Sequence, residues 1–262
     1  MTAVKSIQEL LDESPATDAT TTLGRLWGVM GELRAKLLAR FELHPNPDTA
    51  DLRAYGTADG RFRGEMFTFR GPVIDYLVSS WIGNPALGFT NLHLNIWLKP
   101  HLRVPHLGIV FGTIPDLFFY ADYVPRTDLW VDLEYLDRYY EPLNPGYLEL
   151  RGDARLKPFV SLSTYIRQAQ SPAALAYTAP VTDDTLRLVT AAAHERLDRW
   201  LAWMEQPEVT PEADRTAMAQ RDLAIRRATG QRDPANAIGV RAFGAEYAGR
   251  LLEGLWGVRL DG

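Results

Sequence analysis

The stretch Asn91–Trp130, NLHLNIWLKPHLRVPHLGIVFGTIPDLFFYADYVPRTDLW, constrains the fold most. Three short apolar runs, Leu92–Leu98, Leu107–Phe111 and Leu117–Tyr120, are separated by Lys99-Pro100 and by Ile114-Pro115-Asp116. Runs of this length, rich in Val, Ile, Phe, Tyr and Trp and bounded by Pro and Gly, read as strands. The short second break predicts a hairpin between the second and third. In the first run Leu92, Leu94 and Ile96 alternate with His93, Asn95 and Trp97. On a strand that period of two gives one apolar face and one face carrying a histidine, an amide and an indole. The apolar face needs a helical cover. The other face is suited to line a cavity.

The flanking sequence supplies the cover. Leu23, Leu26/Trp27, Met30, Leu33, Leu37 and Phe41 recur at three and four and predict a helix over Leu23–Phe41, stopped at His44-Pro45-Asn46-Pro47. A weaker amphipathic segment lies at 4–13, with Ile7, Leu10 and Leu11. Leu52–Tyr55, Arg61–Arg70 and Val73–Trp81 are further strand candidates, with turns at Ala58-Asp59-Gly60 and Gly71-Pro72. A short helix is expected over Leu133–Tyr140, irregular chain over 142–160 and a last strand over Val160–Gln168. Helices follow at Asp183–Glu205 and Pro211–Ala228, then a polar loop Thr229–Asn236 and a final helix Val240–Leu255 ending at Gly257. Helix, block of strands, helices: this order predicts an α/β fold, a three-layer α/β/α sandwich around a central, mainly antiparallel sheet. With 262 residues, 46% of them hydrophobic, and no linker-like stretch, a single domain over residues 1–262 is expected.

Several functions are disfavoured by what the chain lacks. A net charge of −5 argues against general nucleic-acid binding. There is no cysteine, hence no disulfide, thiolate metal site, protein-held iron–sulfur cluster or cysteine nucleophile. No run of 18 apolar residues suggests a membrane helix. The opening MTAVKSIQELLDES reads neither as a secretory signal nor as a transit peptide, so a cytoplasmic protein is expected. Neither phosphate-binding glycine loop, GxxxxGK[ST] or GxGxxG, is present, and there is no GxSxG elbow. His93, His101 and His106 lie close in sequence, but Pro100 and Pro105 interrupt them and no HxH or HxxxH spacing occurs, so no metal site is expected.

Two stretches carry candidate chemistry. His93 is either a hydrogen-bonded packing residue or a proton donor or ligand clamp. In Gln220–Arg227, QRDLAIRR, Asp222 and Arg226 stand at i and i+4 on a helix. Either they form a surface ion pair, or Asp222 is a buried carboxylate whose pKa is raised so that it holds a proton near neutrality. Arg226 or Arg227 would then clamp a ligand carboxylate. Arg61, Arg63 and Arg70, interleaved with Phe62, Phe67 and Phe69, are a solvated edge or a docking patch for an acidic partner or a carboxylated ligand.

The run Phe159–Arg167 continuing to Ser171-Pro172, the segment Asp122–Asp128 (DYVPRTD), Tyr135-Leu136, Tyr139-Tyr140, the RDLAIRR helix, Phe243-Gly244 and Leu251–Gly257 occur in the order found in red chlorophyll catabolite reductase. Leu92-His93-Leu94 resembles a strand of the related ferredoxin-dependent bilin reductases. The resemblance spans about residues 91–256. It implies an open-chain tetrapyrrole between sheet and C-terminal helices. It also implies single electrons from reduced ferredoxin, an external donor, with no cofactor bound by the protein. Asp222 and His93 then supply protons, while Asn95, Arg167, Arg226 and Arg227 hold the substrate. The partners implied are ferredoxin and a linear tetrapyrrole, for a monomer or homodimer. One departure stands out: the family carries an acidic residue on the next strand, where this chain has Gly108 or Val110. A non-catalytic tetrapyrrole carrier of the same fold is the alternative.

Overall fold

Strand alternation and helical spacing are both realised in the computed structural model, which describes residues 17–114 and 116–260; the amphipathic segment expected at 4–13 lies outside them. Helix α1 (Thr20–Arg40) comes first, followed by the two-residue strands β1 (His44–Pro45) and β2 (Tyr55–Gly56). Five long strands follow: β3 (Arg63–Arg70), β4 (Ile74–Asn84), β5 (Phe89–Leu98), β6 (His106–Ile114) and β7 (Asp116–Val124). Helices α2 (Leu133–Tyr139) and α3 (Asn144–Gly152), strand β8 (Lys157–Pro158), helix α4 (Thr164–Ala169) and strand β9 (Leu175–Ala179) come next. The chain closes with α5 (Asp183–Trp203), α6 (Arg215–Arg232), α7 (Asn236–Phe243) and α8 (Ala245–Trp256).

The strands form one sheet in the order β1-β3-β4-β5-β6-β7-β9-β8, with β2 also on β3. The pairings among the named strands are antiparallel. β3 to β7 are a meander, as short turns between consecutive strands require. Leu92, Leu94 and Ile96 face a core that also holds Leu26, Met30, Leu33 and Leu37 of α1 and Leu186, Val189, Leu197 and Trp200 of α5. Each fully buried Leu or Met contributes about 1.5–3 kcal/mol, so a charge at Leu33 would unseat α1. The opposite face meets the C-terminal helices: Met66, Tyr76, Val78 and Trp97 cluster with Leu251, and Ile225, Phe243 and Trp256 pack against them.

Two details position the site. The β4–β5 register shifts between Ile74 and Tyr76, and a bulge re-aims the residue it leaves over, here Asp75. The β5–β6 connection is tied down by Trp200 Nε1 donating to Pro105 O at 2.9 Å and by Thr210 N–H donating to His101 O at 2.9 Å. This fixes where β6 begins, and so where His106 sits.

The sequence reading needs four corrections. Val160–Gln168 is not a strand: Ser163 caps Ile166 N–H and starts helix α4, while the strand is the short, alanine-rich β9, with Leu175, Tyr177 and Ala179 buried. The span 142–160 holds helix α3, whose Pro145 sits in the first turn, where no N–H is needed. Of Leu52–Tyr55, Leu52 ends a helical turn, Pro47–Leu52, and only Tyr55 is in a strand, β2. The helix expected over Val240–Leu255 is two, divided at Gly244, whose φ of 80° glycine alone adopts readily.

Candidate functional site

Between the β5–β6–β7 face and helices α6 to α8 lies a cavity of about 600 Å³. That is within the ~300–1,000 Å³ of small-molecule sites. His93, Asn95 and Trp97 of β5 line it, as the alternation predicts, together with His106, Gly108 and Val110 of β6 and Tyr120 of β7. Ile225, Phe243 and Trp256 line it from the helices. Among the described residues no Lys or Arg lines this cavity. Cations stand at an adjoining groove of about 370 Å³, whose lining includes Asp59, Arg61 and Arg241 and which shares Phe62 and Phe89 with the main cavity.

Buried polar atoms in the sheet wall have hydrogen-bonding capacity left over. Asn95 Nδ2 and Trp97 Nε1 are buried and have no hydrogen-bond partner among the described residues. Orphaned buried donors are rare and call for an explanation; a ligand acceptor is one. His106 Nδ1 accepts the Leu98 N–H at 3.0 Å, so its proton sits on Nε2. That nitrogen is 3.0 Å from Asp222 Oδ1, approached off the N–H axis, so that neither atom makes a well-aligned hydrogen bond.

Asp222 is buried, and Arg126 donates to its Oδ2. Arg126 also donates to the carbonyls of Lys99 (3.0 Å) and Leu102, stitching the β5–β6 connection to α6. Burial pushes the Asp222 carboxyl up, but His106 and Arg126 outweigh it and hold it below the usual carboxylate range. The expected raised pKa is therefore corrected: a cation buried against the carboxylate wins over desolvation. Asp222 reaches the cavity through His106 rather than lining it. Burial lowers both His106 and His93 to about 4, so both are neutral in the resting protein.

The three arginines expected at the ligand go elsewhere. Arg226 is buried, donating to Asp75 Oδ2 (2.8 Å), Trp256 O (2.7 Å) and Gly257 O (3.0 Å). Arg227 donates to Arg259 O at 3.2 Å. Arg167 sits on α4, not on a strand, and donates to Ser161 O (2.7 Å) and Leu162 O (3.1 Å). None of the three lines the cavity. Asp222 and Arg226, four apart on α6, are not paired with each other: each has a different partner. Of the three neighbouring histidines, His93 and His106 line the cavity and His101 does not.

A family model described as red chlorophyll catabolite reductase matches residues 27–256. The chain belongs to this family. Red chlorophyll catabolite reductase 1, chloroplastic, from Oryza sativa subsp. japonica is 26% identical over 226 residues, covering 79% of this chain and 68% of the rice protein. Red chlorophyll catabolite reductase from Hordeum vulgare is 26% identical over 198 residues, covering 68% of this chain and 94% of the barley protein. The crystal structure of tomato phytochromobilin synthase in complex with biliverdin is similar in fold, with a TM-score of 0.79 at 16% identity, covering 89% of this chain and 83% of that one.

Membership of the red chlorophyll catabolite reductase family corrects one expectation. The rice relative is named chloroplastic, which overturns the cytoplasmic reading. That reading rested on the composition of 14 residues, MTAVKSIQELLDES, which says nothing of the compartment in which the fold works. Sequence reasoning also missed His106 and Arg126 as site residues. Both lay in stretches it had singled out: His106 continues the β6 alternation by one step, and Arg126 lies in DYVPRTD. Their pairing with Asp222, 96 residues beyond Arg126, is tertiary.

Proposed function

We propose that this protein is an oxidoreductase that reduces a linear tetrapyrrole, a bilin or chlorophyll catabolite, by sequential electron and proton transfer. The reading takes the chain as one domain, an α/β/α sandwich with the ligand between the sheet and the C-terminal helices. The observation that carries it is the cavity wall, where His93 stands on β5 and His106 on β6 with the Asp222 carboxylate behind it. The chain itself has no cysteine and no nucleotide-binding loop, so electrons come singly from outside, from reduced ferredoxin, onto a conjugated ligand able to hold them.

The protein's part is binding, orientation and protonation. Asn95 Nδ2 and Trp97 Nε1 present N–H groups to ligand oxygen or nitrogen acceptors. The largely apolar cavity takes the ring system, and propionate carboxylates project toward Arg61 and Arg241 at the adjoining groove. An electron arriving on the ligand puts negative charge beside the wall. Negative charge raises the proton affinity of His93, His106 and Asp222 alike, so a proton follows the electron. Arg126 keeps Asp222 in place while the charge changes.

The test is anaerobic incubation with biliverdin or red chlorophyll catabolite, with and without reduced ferredoxin. The reading expects a visible absorption change on mixing and a second, larger one only when the donor is added. No change at tens of micromolar ligand contradicts it. A second reading, tetrapyrrole binding without reduction, is favoured by Gly108 and Val110: both line the cavity and neither holds a proton. It expects the first spectral change and never the second.

A further inference from the structure

A half-buried phenol and a buried carboxyl in the cavity wall have no part in that account. Tyr120 of β7 lines the cavity beside Val110, its register partner on β6. Its hydroxyl donates to Asp122 Oδ2 at 3.0 Å. Asp122 is fully buried. Ser171 also holds it, through the backbone N–H to Oδ2 at 2.9 Å and the hydroxyl to Oδ1. No cation stands within ion-pair distance of Asp122 among the described residues; the charge that acts on it most is Arg196 of α5. Burial raises the Asp122 carboxyl against its hydrogen bonds to Ser171 and Tyr120 and the charge of Arg196, and it raises the Tyr120 phenol well above its usual range. Gly108, the register partner of Asp122, lines the cavity and has no side chain to cover the hydroxyl end of the phenol.

A carboxyl buried without a cation is costly in a strand that needs only packing. Placed behind a phenol that faces a ligand cavity, it makes a proton reservoir. We propose that Tyr120, backed by Asp122, is a second point of proton delivery in this cavity, one strand away from His106 and Asp222. The proposal rests on the reductase reading, which requires two protons and so has use for two points.

The step balances as follows. The external one-electron donor supplies the electron, and the reduced ligand takes the phenolic proton of Tyr120, forming a C–H or N–H bond as the O–H bond breaks. In the reactive form the proposal has Asp122 protonated and donating to the Tyr120 oxygen across the same 3.0 Å contact, so that the phenolic O–H turns to the ligand; as that proton leaves, the Tyr120 oxygen takes the carboxyl proton. Asp122 is left as a carboxylate facing the two donors of Ser171. A proton returns from water by way of Tyr120 once the product leaves. No electron comes from the protein.

The test compares wild type with Tyr120→Phe and Asp122→Asn, using whichever of biliverdin and red chlorophyll catabolite the wild type reduces. Tyr120→Phe keeps the ring, so affinity read from the visible spectrum should stay within about threefold. Reduction should slow by about a hundredfold, the scale of lost general acid catalysis, and a half-reduced ligand should build up after the first electron. Asp122→Asn should build up the same species, which a role in packing alone would not produce. Wild-type turnover in Tyr120→Phe with no such species overturns this proposal and leaves the reductase reading standing. Failure of the wild type to reduce either ligand overturns both.

Discussion

Nε2 of His106 lies 3.0 Å from Oδ1 of Asp222, and both residues are buried where β6 meets α6. Arg126 closes the other side of the carboxylate. Under the proposed function Asp222 has two separable roles, anchoring and proton supply. Asp222→Asn keeps the size but leaves Arg126 a buried cation without its anion. Breaking such a pair costs about 3–5 kcal/mol, readable as a lower midpoint in urea. In the protein that remains folded, ligand affinity should stay within about tenfold while reduction falls by about a hundredfold. Wild-type turnover would remove Asp222 from proton supply.

Arg226 anchors the fold. It joins Asp75, re-aimed by the β4 bulge, to the last carbonyls of α8. Gly257 takes a φ of 63°, and a Cβ there would stand 2.5 Å from Arg226 Nη2. Asp75 keeps Lys99 at 2.9 Å, so Arg226→Ala should cost about 1.5–3 kcal/mol, the worth of lost charged hydrogen bonds, measured by chemical denaturation, with ligand affinity of the folded fraction changed little. Gly257→Ala should destabilise as well. A large loss of affinity without loss of stability would place Arg226 at the ligand after all.

The charge needed for ligand carboxylates is expected at the adjoining groove. Replacing Arg61 and Arg241 together by Ala should weaken binding of biliverdin by about tenfold in low salt, since exposed charge contacts are worth about 1 kcal/mol or less each. The same loss should shrink as salt is raised. Equal affinity at every ionic strength would move the carboxylates elsewhere.

The buried histidines predict a pH dependence of stability. His93 is lowered to about 4 by burial, against about 6.5 in an unfolded chain. Between those values the unfolded state binds a proton that the folded state refuses. Stability is therefore full above about pH 6.5 and falls as pH drops toward 4, by about 1.4 kcal/mol per pH unit for one such histidine. Asp122 and Asp233, whose carboxyls burial pushes up, act in the opposite sense. The informative quantity is thus the difference between wild type and His93→Gln. Urea titrations at pH 7.5 and 5 should show a shallower loss in the variant, and parallel losses would contradict a neutral His93.

Most of the sheet was legible because β5 to β7 are long and rich in aliphatic and aromatic residues, and β5 alternates, so His93, Asn95 and Trp97 fall on the cavity face as the period of two demands. Strand β9 was not legible: LAYTA is five residues with two of the smallest side chains, and only its place beside β7 makes it a strand. Asp222 was found from its helix, but its environment was not. An i,i+4 spacing suggests a partner on the same helix, whereas Arg126 reaches it from the loop after β7 and His106 from β6. Arg167, Arg226 and Arg227 misled for the same reason. A guanidinium in sequence has five donors and no direction, and here backbone carbonyls take donors from each of the three.

The central claim is that the ligand in this cavity is reduced, not merely held. The direct measurement is the mass of the ligand recovered after anaerobic incubation of stoichiometric protein with red chlorophyll catabolite or biliverdin and excess reduced ferredoxin. The account predicts a product heavier by two hydrogens, absent when protein or donor is omitted and strongly diminished with Asp222→Asn. A ligand that binds with a changed spectrum and is recovered at its original mass would contradict it and make the protein a carrier.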